Sequence, residues 1–174
     1  MRSPLKLSSL PVHPHPPLDL REYRLRVDGL VDQPVELSIG DLMELPQQEL
    51  EDDFTCLEGW VVPQIRWRGV QLATVLGLVA VRPEARWVQA TFEEFSLPLP
   101  LDRAGSALLA LMLDGAPIPV EHGAPVRLLV PDGECFTSIK WLEHLELRST
   151  PAANTAEMIA RARLGSGVRD TDRQ

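Results

Sequence analysis

Cysteine is scarce: the chain of 174 residues has two, Cys56 and Cys135. That excludes an iron–sulfur cysteine set, and no C-x-x-C-H haem attachment sequence occurs. Tyrosine occurs once, at Tyr23. Positive charge is in deficit, with 17 Lys and Arg against 25 Asp and Glu and a formal net charge of −8. Such a balance argues against general nucleic-acid or anionic-membrane binding, although a basic pocket can sit inside an acidic shell. No apolar run approaches membrane-spanning length, so no membrane span is expected. The opening MRSPLKLSSLPVHP has neither an apolar export core nor a twin arginine. A cytoplasmic location is therefore expected, or a periplasmic one if a leader precedes this sequence. Reduced cysteines suit the cytoplasm, with a Cys56–Cys135 disulfide as the alternative.

What is present is ordinary for a globular chain: 44 % hydrophobic and 24 % charged residues, enough for one domain. Sixteen prolines favour turns and short strands over a helical bundle. Residues 1–17 are Pro-rich and read as an extended segment. Tyr23, Leu25 and Val27 alternate with charged residues in the period of a strand, and Asp28-Gly29 marks a turn. Ser38 and Asp41 have capping-box spacing, which predicts a short helix ending near Pro46. Gln48–Thr55 reads as a strand, whereas the Trp-rich stretch interrupted by Pro63 makes poor core-strand material. VQLATVLGLVA is helical in period. RWVQATF, EEFSLPLP, VRLLV and SIKWLEHLELRS read as strands, and ALLALMLDG as a strand or short helix. Residues 149–174 read as a flexible tail with a short helix around AEMIARARL. The sum is one β-rich α+β domain over residues 18–148.

Three segments carry candidate chemistry. Cys56, between an acidic run and that Trp-rich stretch, can be packing, half of a disulfide, a nucleophile or a metal ligand. Within 114–131, Asp114-Gly115 and Gly123 build tight turns that leave His122 and Arg127 around a compact loop suited to a phosphate. The third segment is FTSIKW (136–141), with Lys140 as a point charge. His13 and His15 form an H-x-H pair without a third ligand. Glu93 and Glu94 are adjacent, and in a strand they face opposite ways. Trp60, Trp67 and Trp141 read as core or pocket wall.

Taken together, VDGLVDQP, CLEGW with WRGVQL, LDGAPIPVEHGAPVRLLVP and SIKWLEHLEL resemble the molybdopterin-binding domain of the sulfite oxidase family. The resemblance runs from roughly residue 10 to 148 and is nearest to short stand-alone members and to methionine sulfoxide reductase catalytic subunits. It implies the mixed-sheet sulfite oxidase fold and a molybdenum-molybdopterin cofactor (Mo-MPT). It also implies two-electron oxygen-atom transfer on a small-molecule substrate, with a separate redox partner such as a cytochrome or flavoprotein. Cys56 matches the thiolate that binds molybdenum, a soft ligand for that metal. Thr91 and His122 match cofactor contacts, and Arg127 the arginine on its phosphate. Ser138, Ile139 and Lys140 match a segment that cradles the pterin. DGECFT departs from the family pattern and leaves Cys135 without a role. A cofactor-binding but catalytically silent carrier or regulatory domain, and an interaction domain without cofactor, are the alternatives. Sulfite is expected to be a poor substrate, because Glu58 follows Cys56 closely and the first arginine afterwards is Arg66.

Overall fold

The computed structural model describes residues 19–55, 57 and 61–167. The first alternating stretch forms β1 (Leu25–Gly29), with Leu25 and Val27 buried and Arg26 outward. Gly29 ends it at φ +87°, where a Cβ would stand 2.3 Å from the Leu147 carbonyl oxygen, so no side chain fits. β2 (Val35–Leu37) returns antiparallel on β1. Ser38 then caps α1 (Ile39–Glu44): its hydroxyl accepts from the Asp41 N–H, and the Asp41 carboxylate accepts from the Ser38 N–H. This is the reciprocal box that the spacing predicts.

β3 (Gln47–Thr55) and β4 (Val61–Gln71) make a long antiparallel hairpin. β4 runs through Pro63, which the sequence suggested would interrupt it. The register shifts between Asp52 and Phe54, and Pro63 and Gln64 lie opposite that shift. Gln64 takes φ +55° and donates its N–H to Asp53 Oδ1 at 2.7 Å. A proline at such an irregularity removes no ladder hydrogen bond.

α2 (Leu72–Val79) buries Leu72, Val75 and Val79 and stops at Ala80, which is left-handed at φ +49°. β5 (Trp87–Phe92) and β6 (Phe95–Pro100) form the next hairpin, followed by α3 (Leu101–Ala104). β7 (Leu108–Leu113), β8 (Ala116–Pro117), β9 (Arg127–Leu129) and β10 (His144–Arg148) complete the strands. One sheet runs β2-β1-β10-β5-β6 and includes the parallel pair β1–β10. The other runs β3-β4-β7-β8, with β9 also pairing β7. The first strand thus pairs with the last, and the Tyr23 hydroxyl donates to the Leu142 carbonyl over the same junction. The expected β-rich α+β fold is the one observed.

The larger core joins Val27 and Leu145 of the first sheet to Val70 and Leu109 of the second and Val75 of α2. A second cluster, with Val62, Ile65, Trp67, Leu113 and Leu129, lies under the β3–β4 hairpin. Each such fully buried side chain contributes about 1.5–3 kcal/mol by leaving water.

Where a tail with a short helix was expected, α4 (Thr155–Gly167) is anchored to β6. The Ser96 N–H donates to Thr155 Oγ1, the Thr155 hydroxyl donates to the Glu94 carbonyl, and Ala156 is buried. Buried Gln89 bridges to residues 152–153, accepting from the Ala152 N–H and donating to the Ala153 carbonyl. No helix among the described residues is long and apolar enough to cross a membrane.

Candidate functional site

Two loops, 120–126 and 138–142, are laced together around the start of β9. The Leu128 N–H donates to the Ile139 carbonyl at 2.8 Å, and the Leu142 N–H to the Val126 carbonyl at 2.9 Å. The Trp141 indole donates to the Val120 carbonyl at 2.7 Å, and the Lys140 ammonium to the Glu121 carbonyl at 2.8 Å. Gly123 permits this approach: at φ +113°, a Cβ there would meet Lys140 Cα and Cβ at 3.1 Å. Its carbonyl accepts from the Trp141 N–H, and Trp141 takes φ +54°, a left-handed conformation that costs a non-glycine residue roughly 1–2 kcal/mol. The S-I-K-W segment, read from sequence as strand, is therefore a turn, and strand begins only at His144.

Arg127 opens β9 and is 2 % exposed. Its Nε donates to Ser138 Oγ at 2.7 Å and its Nη1 to the His122 carbonyl at 3.0 Å. Its guanidinium carbon lies 5.3 Å from the Phe54 ring centroid and 5.1 Å from that of Trp67. Among the described residues no carboxylate lies within ion-pair distance of it. Burial lowers its pKa to about 10, and the nearby Cys135 sulfur acts in the opposite sense. Lys140 is half-buried. Burial first, then repulsion from Arg127, lowers its pKa to about 7, partly offset by Glu121.

Two desolvated cations that repel one another are costly to hold together, and an anion between them would relieve both penalties. The bonds to Ser138 and His122 use two guanidinium N–H groups of Arg127, and a guanidinium has five. The donor set therefore fits the phosphate end of a pterin cofactor. The turns around it supply backbone groups at close range, as the pterin itself requires.

The structure brings His122, Arg127, Ser138, Ile139 and Lys140 together. The His122 ring is buried, and its carbonyl serves Arg127. Ile139 packs its side chain into the larger core, so what it can offer a ligand is backbone. Thr91 stands apart from this cluster. It lies on β5 opposite His144, its carbonyl accepts from the Glu143 N–H at 3.3 Å, and the next residue, Phe92, packs on Trp141 at 5.4 Å. Cys56, Glu58, Trp60, His13 and His15 lie outside the described residues.

Beside the Arg127 cluster opens a cleft of about 390 Å³, counting its solvent-open mouth. Thr55, the residue before Cys56, lines it, with Phe54, Trp67, Cys135 and Ser138. Asp52, Asp53 and Glu134 also line it, and among the described residues no cation does. Burial holds the Asp52 carboxyl above the ordinary range, and the charges of Asp132 and Asp53 add to this. Among the described residues, no group of three or more His, Cys, Asp or Glu could hold a metal ion. Sequence reading missed Phe54 and the acidic lining. Part of the signal was there: along β3, Leu50, Asp52 and Phe54 are half-buried and alternate with the exposed Glu49, Glu51 and Asp53, of which Asp53 reaches the rim of the cleft. Cys135, without a role in the sequence, sits in the 3-10 turn Cys135–Thr137 that forms one wall.

Comparison with known proteins shows which family the chain resembles. An uncharacterized oxidoreductase of Bacillus subtilis, YuiH, is 35 % identical over 131 residues, covering 74 % of this chain and 66 % of that protein. Mitochondrial sulfite oxidase of Rattus norvegicus is 29 % identical over 168 residues, covering 78 % of this chain and 31 % of that protein. In structure, the sulfane dehydrogenase SoxCD of Paracoccus pantotrophus matches with a TM-score of 0.72 and 24 % identity, over 77 % of this chain and 40 % of that one. The chain thus spans less than two thirds of these relatives' length. Residues 12–156 match the oxidoreductase molybdopterin-binding domain, and the chain belongs to that family.

Proposed function

We propose that the protein is a molybdopterin-dependent oxidoreductase that transfers an oxygen atom, with two electrons, on a small neutral or weakly charged substrate rather than sulfite. The observation that carries the reading is the Arg127–Lys140 pair, desolvated and mutually repelling, set where the 120–126 and 138–142 loops meet. When bound, the cofactor supplies a metal that cycles between states two electrons apart. Arg127 and Lys140 hold its phosphate end. Gly123 and the turn at Trp141 bring backbone close to the pterin, and Cys56 supplies the thiolate ligand. Phe54, Trp67 and Leu129 exclude water from the inner wall of the cleft. Electrons pass one at a time to or from a separate redox partner.

The substrate reading follows from charge. Asp52, Asp53 and Glu134 line the cleft, with no cation among its described lining residues, and in sequence Glu58 is a carboxylate two residues from Cys56. Two like unit charges ~8 Å apart repel by about 2 kcal/mol at an effective dielectric of ~20, and solvent at the mouth reduces this. Several carboxylates acting together still disfavour a dianion, while a sulfoxide or similar oxo-donor is indifferent to them. The test is steady-state turnover of molybdenum-loaded protein with sulfite and with small sulfoxides, using artificial electron carriers. Turnover of sulfoxide without efficient sulfite oxidation supports the reading. Sulfite oxidation with kcat/KM above ~10⁴ M⁻¹s⁻¹ overturns it.

A further inference from the structure

We infer that α4 is a strut for the cleft wall: packed behind the Cys135–Thr137 turn, it holds that turn, and through it Ser138, in place against Arg127. The meaning of this at the anion site rests on the proposed function, whereas the effect on the wall is read separately. The family match ends at residue 156, so α4 lies almost wholly beyond it. The helix has its own start signal: Asn154 Oδ1 accepts from the Glu157 N–H at 3.1 Å, an N-cap. Ala156 is buried and Ile159, Ala160 and Leu164 are half-buried, the spacing of one helix face. Met158, Arg161 and Ala162 are exposed. The inner face packs on β6 and also on the Cys135–Thr137 turn, and the Arg163 guanidinium lies 5.9 Å from the Phe95 ring centroid.

The turn has two sides. Glu134, Cys135, Thr137 and Ser138 line the cleft, while Phe136 packs onto the larger core, the cluster that contains Ala156. Its backbone bonds are local: the Thr137 N–H donates to the Glu134 carbonyl at 2.8 Å and the Ser138 N–H to the Cys135 carbonyl at 3.2 Å. Such bonds shape a turn without fixing it to a neighbouring strand. On the cleft side Ser138 Oγ accepts from Arg127 Nε, and on the other side stands α4. Arg161, paired with Glu157 at 2.8 Å, also lies within reach of the charge on Glu134. Exposed pairs of this kind add little, so apolar packing carries the strut. The helix touches neither cofactor nor substrate; it positions the wall that does.

The experiment measures the alkylation rate of Cys135 by iodoacetamide in cofactor-free full-length protein, isolated by peptide mass spectrometry, beside helix content by circular dichroism. Ala160→Pro breaks α4 in its interior, Ala160→Gly weakens it, and Met158→Ala changes only its outer face. A wall without its strut opens locally more often, and alkylation follows that open population. Ala160→Pro should raise the Cys135 rate roughly fivefold or more and Ala160→Gly about twofold, with Met158→Ala unchanged. The dissociation constant for inorganic phosphate should rise about threefold or more in Ala160→Pro, because Ser138 no longer steadies the guanidinium. A parent-like Cys135 rate in Ala160→Pro that has lost helix overturns the strut, and if that variant does not fold, a parent-like rate in Ala160→Gly does so. A raised rate with parent-like phosphate affinity breaks the link from the wall to Arg127 and overturns the inference as stated. A parent that neither binds phosphate nor retains molybdenum refutes the proposed function, and the Cys135 rates then still decide the strut.

Discussion

Replacing Arg127 by methionine separates a cofactor role from a structural one, because the two make opposite demands on the apo-protein. In the native chain Arg127 is 2 % exposed. Burial takes its pKa down from the ordinary arginine range to about 10, a penalty on the charged form of about 3 kcal/mol. Against this stand the bonds to Ser138 and to the His122 carbonyl, each worth about 1.5–3 kcal/mol with a charged donor. Methionine gives up both sides and keeps much of the volume. The apo-protein should therefore stay folded, its stability within about 3 kcal/mol of the parent, since apolar replacement of a buried charge is often nearly neutral. That corresponds to a Tm change of no more than roughly 10 °C in a chain of this size. Cofactor binding has no such compensation. Loss of the charge-assisted phosphate contact removes about 1.5–3 kcal/mol, roughly a 10- to 150-fold loss of affinity. The assay is molybdenum per chain by elemental analysis beside thermal unfolding of the apo form. Unchanged occupancy would show that the phosphate site is elsewhere. An apo-protein that fails to fold would show that Arg127 is a structural residue.

Lys140 gives a pH signature. Its folded pKa is lowered to about 7 from 10.5, so between these values the unfolded chain holds the extra proton. Apo-protein stability should then rise with pH across that window, and Lys140→Met should flatten the slope, as read by urea unfolding at several pH values. Phosphate or cofactor binding near pH 8 should take up protons at Lys140, detectable as a buffer-dependent binding heat. Gly123→Ala places a Cβ at φ +113° and 3.1 Å from Lys140. It should destabilise the apo-protein by about 1–3 kcal/mol and lower molybdenum content, measured by unfolding and elemental analysis. Cys56→Ser should leave a folded protein that binds pterin and has lost redox turnover, and turnover equal to the parent at equal molybdenum content would contradict the ligand assignment.

Local rules made much of the fold legible. The Ser38–Asp41 spacing gave the first helix, and the alternation from Tyr23 to Val27 gave a buried-face strand. What escaped depended on contacts distant in the chain. Nothing near β10 announces that it pairs parallel with β1. Pro63 misled because its place opposite a register shift depends on the partner strand. The S-I-K-W segment has strand-like composition, yet Gly123 and the positive φ of Trp141 make it a turn. In the site, Arg127, Ser138 and Lys140 could be grouped through the family resemblance. The rings that hold Arg127 could not, because Phe54 and Trp67 come from a hairpin more than 50 residues earlier.

The central claim, that this fold is built around a molybdenum-pterin cofactor, is tested most directly by molybdenum and pterin analysis. Protein made in a host that synthesises the cofactor should carry molybdenum and pterin approaching one each per chain, and protein from a cofactor-deficient strain should carry neither. Background levels of both in protein from the competent host would contradict the account.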